Sequence, residues 1–280
     1  MLLWRATRSG KPITRGLTFR VIDTHCHIDF DEFAADRDAV LRRALAAGVT
    51  RLIIPSIHPD HWTRAQQHIE VCAAGGITAY CAIGLHPWWA DSYPLADLPS
   101  ALQSALPGAV AVGECGLDAL RNIDMALQVA VLRCHIDAAK QHRLPLILHC
   151  VKAHEEMLSL LKEMGPEAGG VVHGFGGSLE IAREYLRLGF KIGVGGMVTR
   201  PHATRAQRAF KALPLHGLVL ETDAPAMPIW DHVNEQLEGR NEPANVARIA
   251  RALAELRGCP LKSMLAEIEQ STLATFTQMG

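Results

Sequence analysis

Eight short, nearly continuous apolar runs, separated by longer amphipathic stretches, constrain this chain more than any other feature. They fall at residues 21–28, 51–57, 78–85, 110–116, 145–150, 170–175, 191–195 and 218–222. A strand covered on both faces reads as an unbroken apolar run, as in a parallel sheet beneath helices. Between the runs, apolar residues recur at three- and four-residue spacing. Residues 31–47 place Phe33, Val40, Leu41, Ala44 and Leu45 near one face, and residues 124–142 repeat the pattern from Ala126 to Ala138. Segments 154–164, 179–188, 203–213, 243–256 and 260–276 read likewise. Eight strands alternating with helices in 280 residues predict a TIM-type (β/α)8 barrel. The rival, an open doubly wound sheet, calls for a GxGxxG turn after the first strand, and the sequence has none there.

No linker, composition break or repeat divides residues 21–280, which read as a single barrel domain behind a basic extension over residues 1–20. The apolar part of that extension is too short for a secretory core, so it reads as a leader or an early start. The net charge of −1 advertises no polyanionic partner and argues against a pure nucleic-acid-binding module. A nuclease stays open, because bound metals can themselves attract phosphate. No apolar run approaches the roughly 20 residues of a membrane span. Seven cysteines without a CxxC pair suit a reducing cytoplasm. Cys26, Cys115 and Cys150 each adjoin a candidate ligand, but alternation turns them to the opposite face. Nothing calls for an obligate protein partner.

Polar residues sit where the apolar runs end. The first run ends Asp23-Thr24-His25-Cys26-His27, and residues two apart share a face, so His25 and His27 point together into the barrel. The fourth run ends at Glu114, the fifth at His149, the sixth at His173 and the eighth at Glu221-Thr222-Asp223. A buried, unpaired carboxylate is costly, and metal coordination removes that cost. One histidine on an apolar strand is most often a satisfied core residue. Four with two carboxylates, all at strand ends of one face, are not explained that way. Imidazole with carboxylate suits Zn²⁺ and similar ions rather than Ca²⁺. Six ligands exceed the complement of one catalytic zinc, so two divalent metal ions are expected, with a central carboxylate as bridge.

His86, Lys152 and His154 are candidate substrate contacts, with Arg121 and Arg200 as further candidates for phosphate. Trp88 and Trp89 could stack on a base, though packing beneath a loop is the commoner role. His58, His61, His68, His135, His142, His202, His216 and His232 fall mainly in loops or helices and read as solvent-facing. The stretches 86–99 and 224–242 would lie on the catalytic face.

Six motifs in order carry a family resemblance: Asp23-Thr24-His25-Cys26-His27-Ile28-Asp29, Gly84-Leu85-His86-Pro87, Gly113-Glu114-Cys115-Gly116-Leu117-Asp118, Ile147-Leu148-His149-Cys150, Val172-His173-Gly174-Phe175-Gly176-Gly177 and Leu220-Glu221-Thr222-Asp223-Ala224-Pro225. The chain resembles the TatD-type metal-dependent deoxyribonucleases, and residues 171–180 and 191–196 resemble the YjjV-like branch. The resemblance implies His25, His27, Glu114 and Asp223 around one metal, and Glu114, as bridge, with His149 and His173 around the other. It implies a phosphodiester substrate, commonly DNA attacked from its 3′ end. Three departures stand out. Ala119 and Leu120 follow the Gly-Leu-Asp where aromatic residues are frequent, Val151 and Lys152 stand where Arg is common, and His135-Ile136 replaces a Gln-Leu pair.

The leading expectation is therefore phosphodiester hydrolysis, with Asp223 as general base. The alternative is an amidohydrolase-like enzyme acting on a small-molecule ester, amide or phosphoester. Many binuclear relatives of that kind place a carboxylated lysine at the end of strand four, where this chain has Glu114. A metal-stabilised scaffold is the non-enzymatic reading, against which the open ligand set counts. Ligand chemistry favours Zn²⁺, Mn²⁺ or Ni²⁺, and the family adds Mg²⁺.

Overall fold

The computed structural model describes residues 20–279, so the basic extension lies outside the described residues except for Arg20. Eight parallel strands pair in chain order: β1 (Val21–Asp23), β2 (Val49–Pro55), β3 (Thr78–Ile83), β4 (Ala111–Asp118), β5 (Leu146–Val151), β6 (Gly170–Val172), β7 (Phe190–Val194) and β8 (Leu218–Leu220). The Thr24 amide donates to the Leu220 carbonyl at 3.0 Å and the His27 amide to Ala224 at 2.8 Å, which closes the barrel between its first and last strands.

Helices α1 (Arg37–Ala46), α2 (Pro59–Ala74), α3 (Leu98–Ala105), α4 (Met125–His142), α5 (His154–Met164), α6 (Leu179–Arg187), α7 (Thr204–Ala212), α8 (Val246–Arg257) and α9 (Leu261–Thr275) accompany the strands. The sequence reading did not include α2 and α3. Helix α2 buries Trp62, Ala65 and Cys72, a sparse stripe at helical spacing, and α3 offers only Leu98 and Leu102. Where that reading has one helix over residues 31–47, a 3₁₀ turn at Asp31–Phe33 precedes α1.

Alternation sorts the strand residues into two cores. Leu52, Ile54, Leu146, Leu148, Ile192 and Val194 face the helices. Ile22, Ile53, Ala111, Ile147, Val171 and Val219 fill the barrel. Phe276 and Met279, beyond α9, join that inner layer, and the Tyr80 hydroxyl donates to the Met279 carbonyl at 3.1 Å. Phe276 and Met279 thus plug the end of the barrel opposite the site.

Two phase changes put the ligand candidates inside. Val112, Cys115 and Leu117 all face outward, although 112 and 115 differ in parity, and the β4–β5 register shifts between Val112 and Cys115. The extra residue is a bulge, and it turns Glu114 inward. Strand β1 stops at Asp23, five residues before the expected end at 28. Beyond it only Cys26 bridges to Ala224. Ile22 faces in, whereas Cys26 and Ile28 face out, so the irregular backbone between them turns His25 and His27 inward. Strands β6 and β8 likewise end before His173, Glu221 and Asp223, which lie on the loops just past them.

Candidate metal centre

His25, His27, Glu114, His149 and His173 are buried side by side at this mouth, with Asp223 at 13% side-chain exposure against 3% for Glu114. The Glu114 carboxylate divides its oxygens. Oε2 lies 3.1 Å from His25 Nε2 and 3.6 Å from His27 Nε2. Asp223 Oδ1 lies 3.4 Å from both of those nitrogens, which are 3.2 Å from each other. Donor atoms around a tetrahedral ion at about 2.1 Å sit about 3.4 Å apart, so these separations match the edges of one coordination shell. Oε1 lies 2.7 Å from His173 Nε2 and 3.2 Å from His149 Nδ1, and those two nitrogens are 3.1 Å apart.

Hydrogen bonds behind the rings set their tautomers. His27 Nδ1 is 3.0 Å from the Pro55 carbonyl and must carry the proton, so Nε2 turns a lone pair to the site. His149 Nε2 is 3.2 Å from Asp118 Oδ2, so in the neutral ring Nδ1 turns its lone pair inward. His86 is the reverse case. The Trp88 amide donates to its Nδ1 at 3.1 Å, which leaves the proton on Nε2, 3.1 Å from Glu114 Oε1. His86 therefore orients the central carboxylate as a donor.

Burial works against the charge of Glu114, yet His173, His86 and His25 hold the carboxyl well below its usual range. Burial lowers His25 to about 4. It also lowers His173, but Glu114 outweighs it and raises that imidazole to about 10. Behind the ligand candidates, burial pushes Asp23 up to about 7 and Glu221 to about 8. Glu221 Oε1 accepts the Gly174 amide at 2.6 Å, while Glu221 Oε2 and the Nδ1 atoms of His25 and His173 have no hydrogen-bond partner among the described residues. Carboxylate oxygens and imidazole nitrogens gathered this closely in a buried site suit a cation. Gly193 makes room for it, since a Cβ there would meet Glu221 Oε2 at 2.3 Å.

A cavity of about 610 Å³ opens above these groups, lined by His86, Trp88, Cys150, Met227 and Arg240 among others. Lys152 and His154 are not brought into its wall. Lys152 is exposed, and His154 Nδ1 is engaged by the Tyr185 hydroxyl at 3.0 Å and the Cys150 thiol at 3.2 Å. Two residues escaped the sequence reading. Asp118, four residues past Glu114 at the end of the same strand, accepts from Trp88 Nε1 at 2.6 Å as well as facing His149. His135, read as solvent-facing, is fully buried on the apolar face of α4, donating from Nδ1 to the Val131 carbonyl (2.8 Å) and accepting the Leu85 amide at Nε2 (2.9 Å). Its apolar neighbours Val131, Leu132 and Ile136 were the available signal.

A closed parallel barrel with imidazoles and carboxylates gathered at the C-terminal mouth belongs to the class of metal-dependent hydrolases. The chain matches the model of the TatD-related DNase family over residues 22–277, and it belongs to that family. It is 37% identical over 261 residues to YjjV, an uncharacterized metal-dependent hydrolase of Escherichia coli K12, across 92% of this chain and 98% of that protein. The YjjV crystal structure superposes with a TM-score of 0.82 over the same shares. The 3′-5′ ssDNA/RNA exonuclease TatD of a Rahnella strain is 34% identical over 236 residues, 81% of this chain and 87% of that protein. A TatD family hydrolase from Entamoeba histolytica, 24% identical and covering 93% and 99%, has the same fold with a TM-score of 0.82.

Proposed function

We propose that this protein hydrolyses phosphodiester bonds of single-stranded nucleic acid from the 3′ end, with two divalent ions at the barrel mouth. The observation that carries the reading is the division of the Glu114 oxygens, Oε2 toward His25 and His27 and Oε1 toward His149 and His173. Asp223 completes the first group. The ions would be Zn²⁺, Mn²⁺, Ni²⁺ or Mg²⁺. When bound they would supply Lewis acidity and a lowered water pKa; water would attack phosphorus as the bond to the departing sugar oxygen breaks.

The residues do the rest. Asp223, the more open carboxylate of the two, takes the proton of the attacking water. Glu114 stays ionised and would hold both ions, its carboxylate kept in orientation by the His86 Nε2–H. Asp118 holds the His149 ring through Nε2. Lys152 and His154 sit with Arg205 outside the wall, near enough for both cations to depress His154 after burial has done so. There they would meet the chain leaving the site. The TatD relative's name, a 3′-5′ ssDNA/RNA exonuclease, supports the substrate and polarity. Seven unpaired cysteines fit a cytoplasmic location, and among the described residues no helix is long and apolar enough to cross a membrane.

The test is hydrolysis of an end-labelled single-stranded oligonucleotide across a panel of divalent metals. Metal-dependent shortening from the 3′ end is expected, with Glu114→Ala slower by more than the about 10- to 100-fold that losing a partner behind a ligand costs, because both metal groups lose a shared ligand. A protein that holds two metals yet leaves the oligonucleotide intact would contradict the nuclease reading.

A further inference from the structure

Trp88 joins the metal site to the rim. Its ring lines the cavity, and its indole N–H donates to Asp118 Oδ2 at 2.6 Å, the oxygen that also faces His149. The ring is therefore a plate of fixed position, although the residue is 42% exposed. Arg121 lies on that plate, with its guanidinium carbon 3.5 Å from the ring centroid. The turn that carries it is also hydrogen-bonded: the Leu120 amide donates to Asp118 Oδ1 at 2.9 Å and the Arg121 amide to the Asp118 carbonyl at 3.4 Å.

A guanidinium held by its face on an aromatic ring keeps its N–H donors in the plane, directed outward, where two can fork onto a phosphate. Arg121 is exposed, and no ion pair is found for it among the described residues. The cation that lines the cavity itself, Arg240, is differently placed. It donates to Asp36 at 2.8 Å and to Glu242 at 3.1 Å, and it rests on Phe33. Of these two guanidiniums beside the cavity, the one on Trp88 has its fork to offer.

We infer that the Arg121–Trp88 pair is a phosphate-gripping subsite, in which Arg121 binds a backbone phosphate next to the one being cleaved and Trp88 holds the guanidinium in register with His149. The inference rests on the nuclease reading and assigns that reading a residue that neither the metal groups nor their hydrogen bonds require. It makes recognition depend on a polyanion longer than one phosphodiester and leaves base identity unread.

The experiment is binding of a fluorescein-labelled phosphorothioate oligothymidylate to the metal-loaded full chain, followed by anisotropy across a series of KCl concentrations. Each phosphate neutralised on a single strand contributes about 0.7 to the slope of log Kobs against log salt. Arg121→Gln is expected to lower the slope by about that amount. Arg121→Lys should keep the slope but bind more weakly, because an ammonium has no planar fork. Lys262→Gln removes an equally exposed charge from α9, at the other end of the barrel, and should leave the slope as it is. An unchanged slope in Arg121→Gln, or an equal fall in Lys262→Gln, overturns the subsite while the nuclease reading stands. Failure of the unsubstituted protein to bind the oligonucleotide overturns both.

Discussion

At the scale of single residues, the site is governed by what stands behind each ring. Six side chains converge, and for two of them a partner sets the direction of the lone pair: Pro55 for His27 and Asp118 for His149; the Trp88 amide in turn makes His86 a donor to Glu114. Asp118 is the informative case, because its carboxylate serves two rings. Burial raises its pKa, but His149 and Trp88 outweigh that and hold it well below the ordinary aspartate range. Removing such a partner typically weakens metal affinity about 10- to 100-fold. Asp118→Ala should therefore weaken the metal proposed at His149 and His173 by that factor, leaving the one proposed at His25 and His27 close to unchanged. Competition with a chelating dye, read as two separate dissociation constants, checks this; equal weakening of both would remove Asp118 from its positioning role.

At the scale of elements, His135 ties α4 to the end of β3. Its two nitrogens span Val131 in the helix and Leu85, the residue before His86. Burial lowers this imidazole from 6.5 to about 4, so the fold accepts the neutral form. The sign follows. Between those pH values the unfolded chain binds a proton that the folded chain refuses, so stability is complete above about 6.5 and falls as the pH drops toward 4. The loss attributable to this group approaches about 3 kcal/mol. Urea midpoints measured across that window should fall more steeply for the natural chain than for His135→Gln, which cannot take up a proton. Parallel curves would show that His135 does not control the acid limb.

At the scale of the whole molecule, the barrel has a chemical end and a structural end. The mouth is polar and spends packing on a charge cluster, whereas the opposite end is closed by Phe276 and Met279 against Ile22, Ile53, Val171 and Val219. Phe276 is fully buried, and truncating such a ring costs about 3–5 kcal/mol. Phe276→Ala should lower the melting temperature by that equivalent in calorimetry while the folded fraction keeps its metal stoichiometry. Metal lost in proportion with stability would mean that the two ends are not independent.

The barrel was legible in the sequence because strands buried on both faces must be apolar along their length, a property of composition that needs no partner to be seen. The ligand candidates were legible for the same reason, as polar exceptions at the ends of apolar runs. Helices α2 and α3 were less so, since their buried stripes are sparse. His135 was misplaced although it shares a helix face with Val131, Leu132 and Ile136; what the sequence could not show was the Leu85 amide, fifty residues away, that occupies its second nitrogen. Tertiary structure alone decided the bulge that turns Glu114 inward and the irregular backbone after Asp23 that turns His25 inward. It also decided which oxygen of Glu114 meets which pair of histidines. Local pattern specifies which residues must leave water, but the direction of a lone pair depends on atoms that are tens of residues away in the chain until folding brings them within a hydrogen bond.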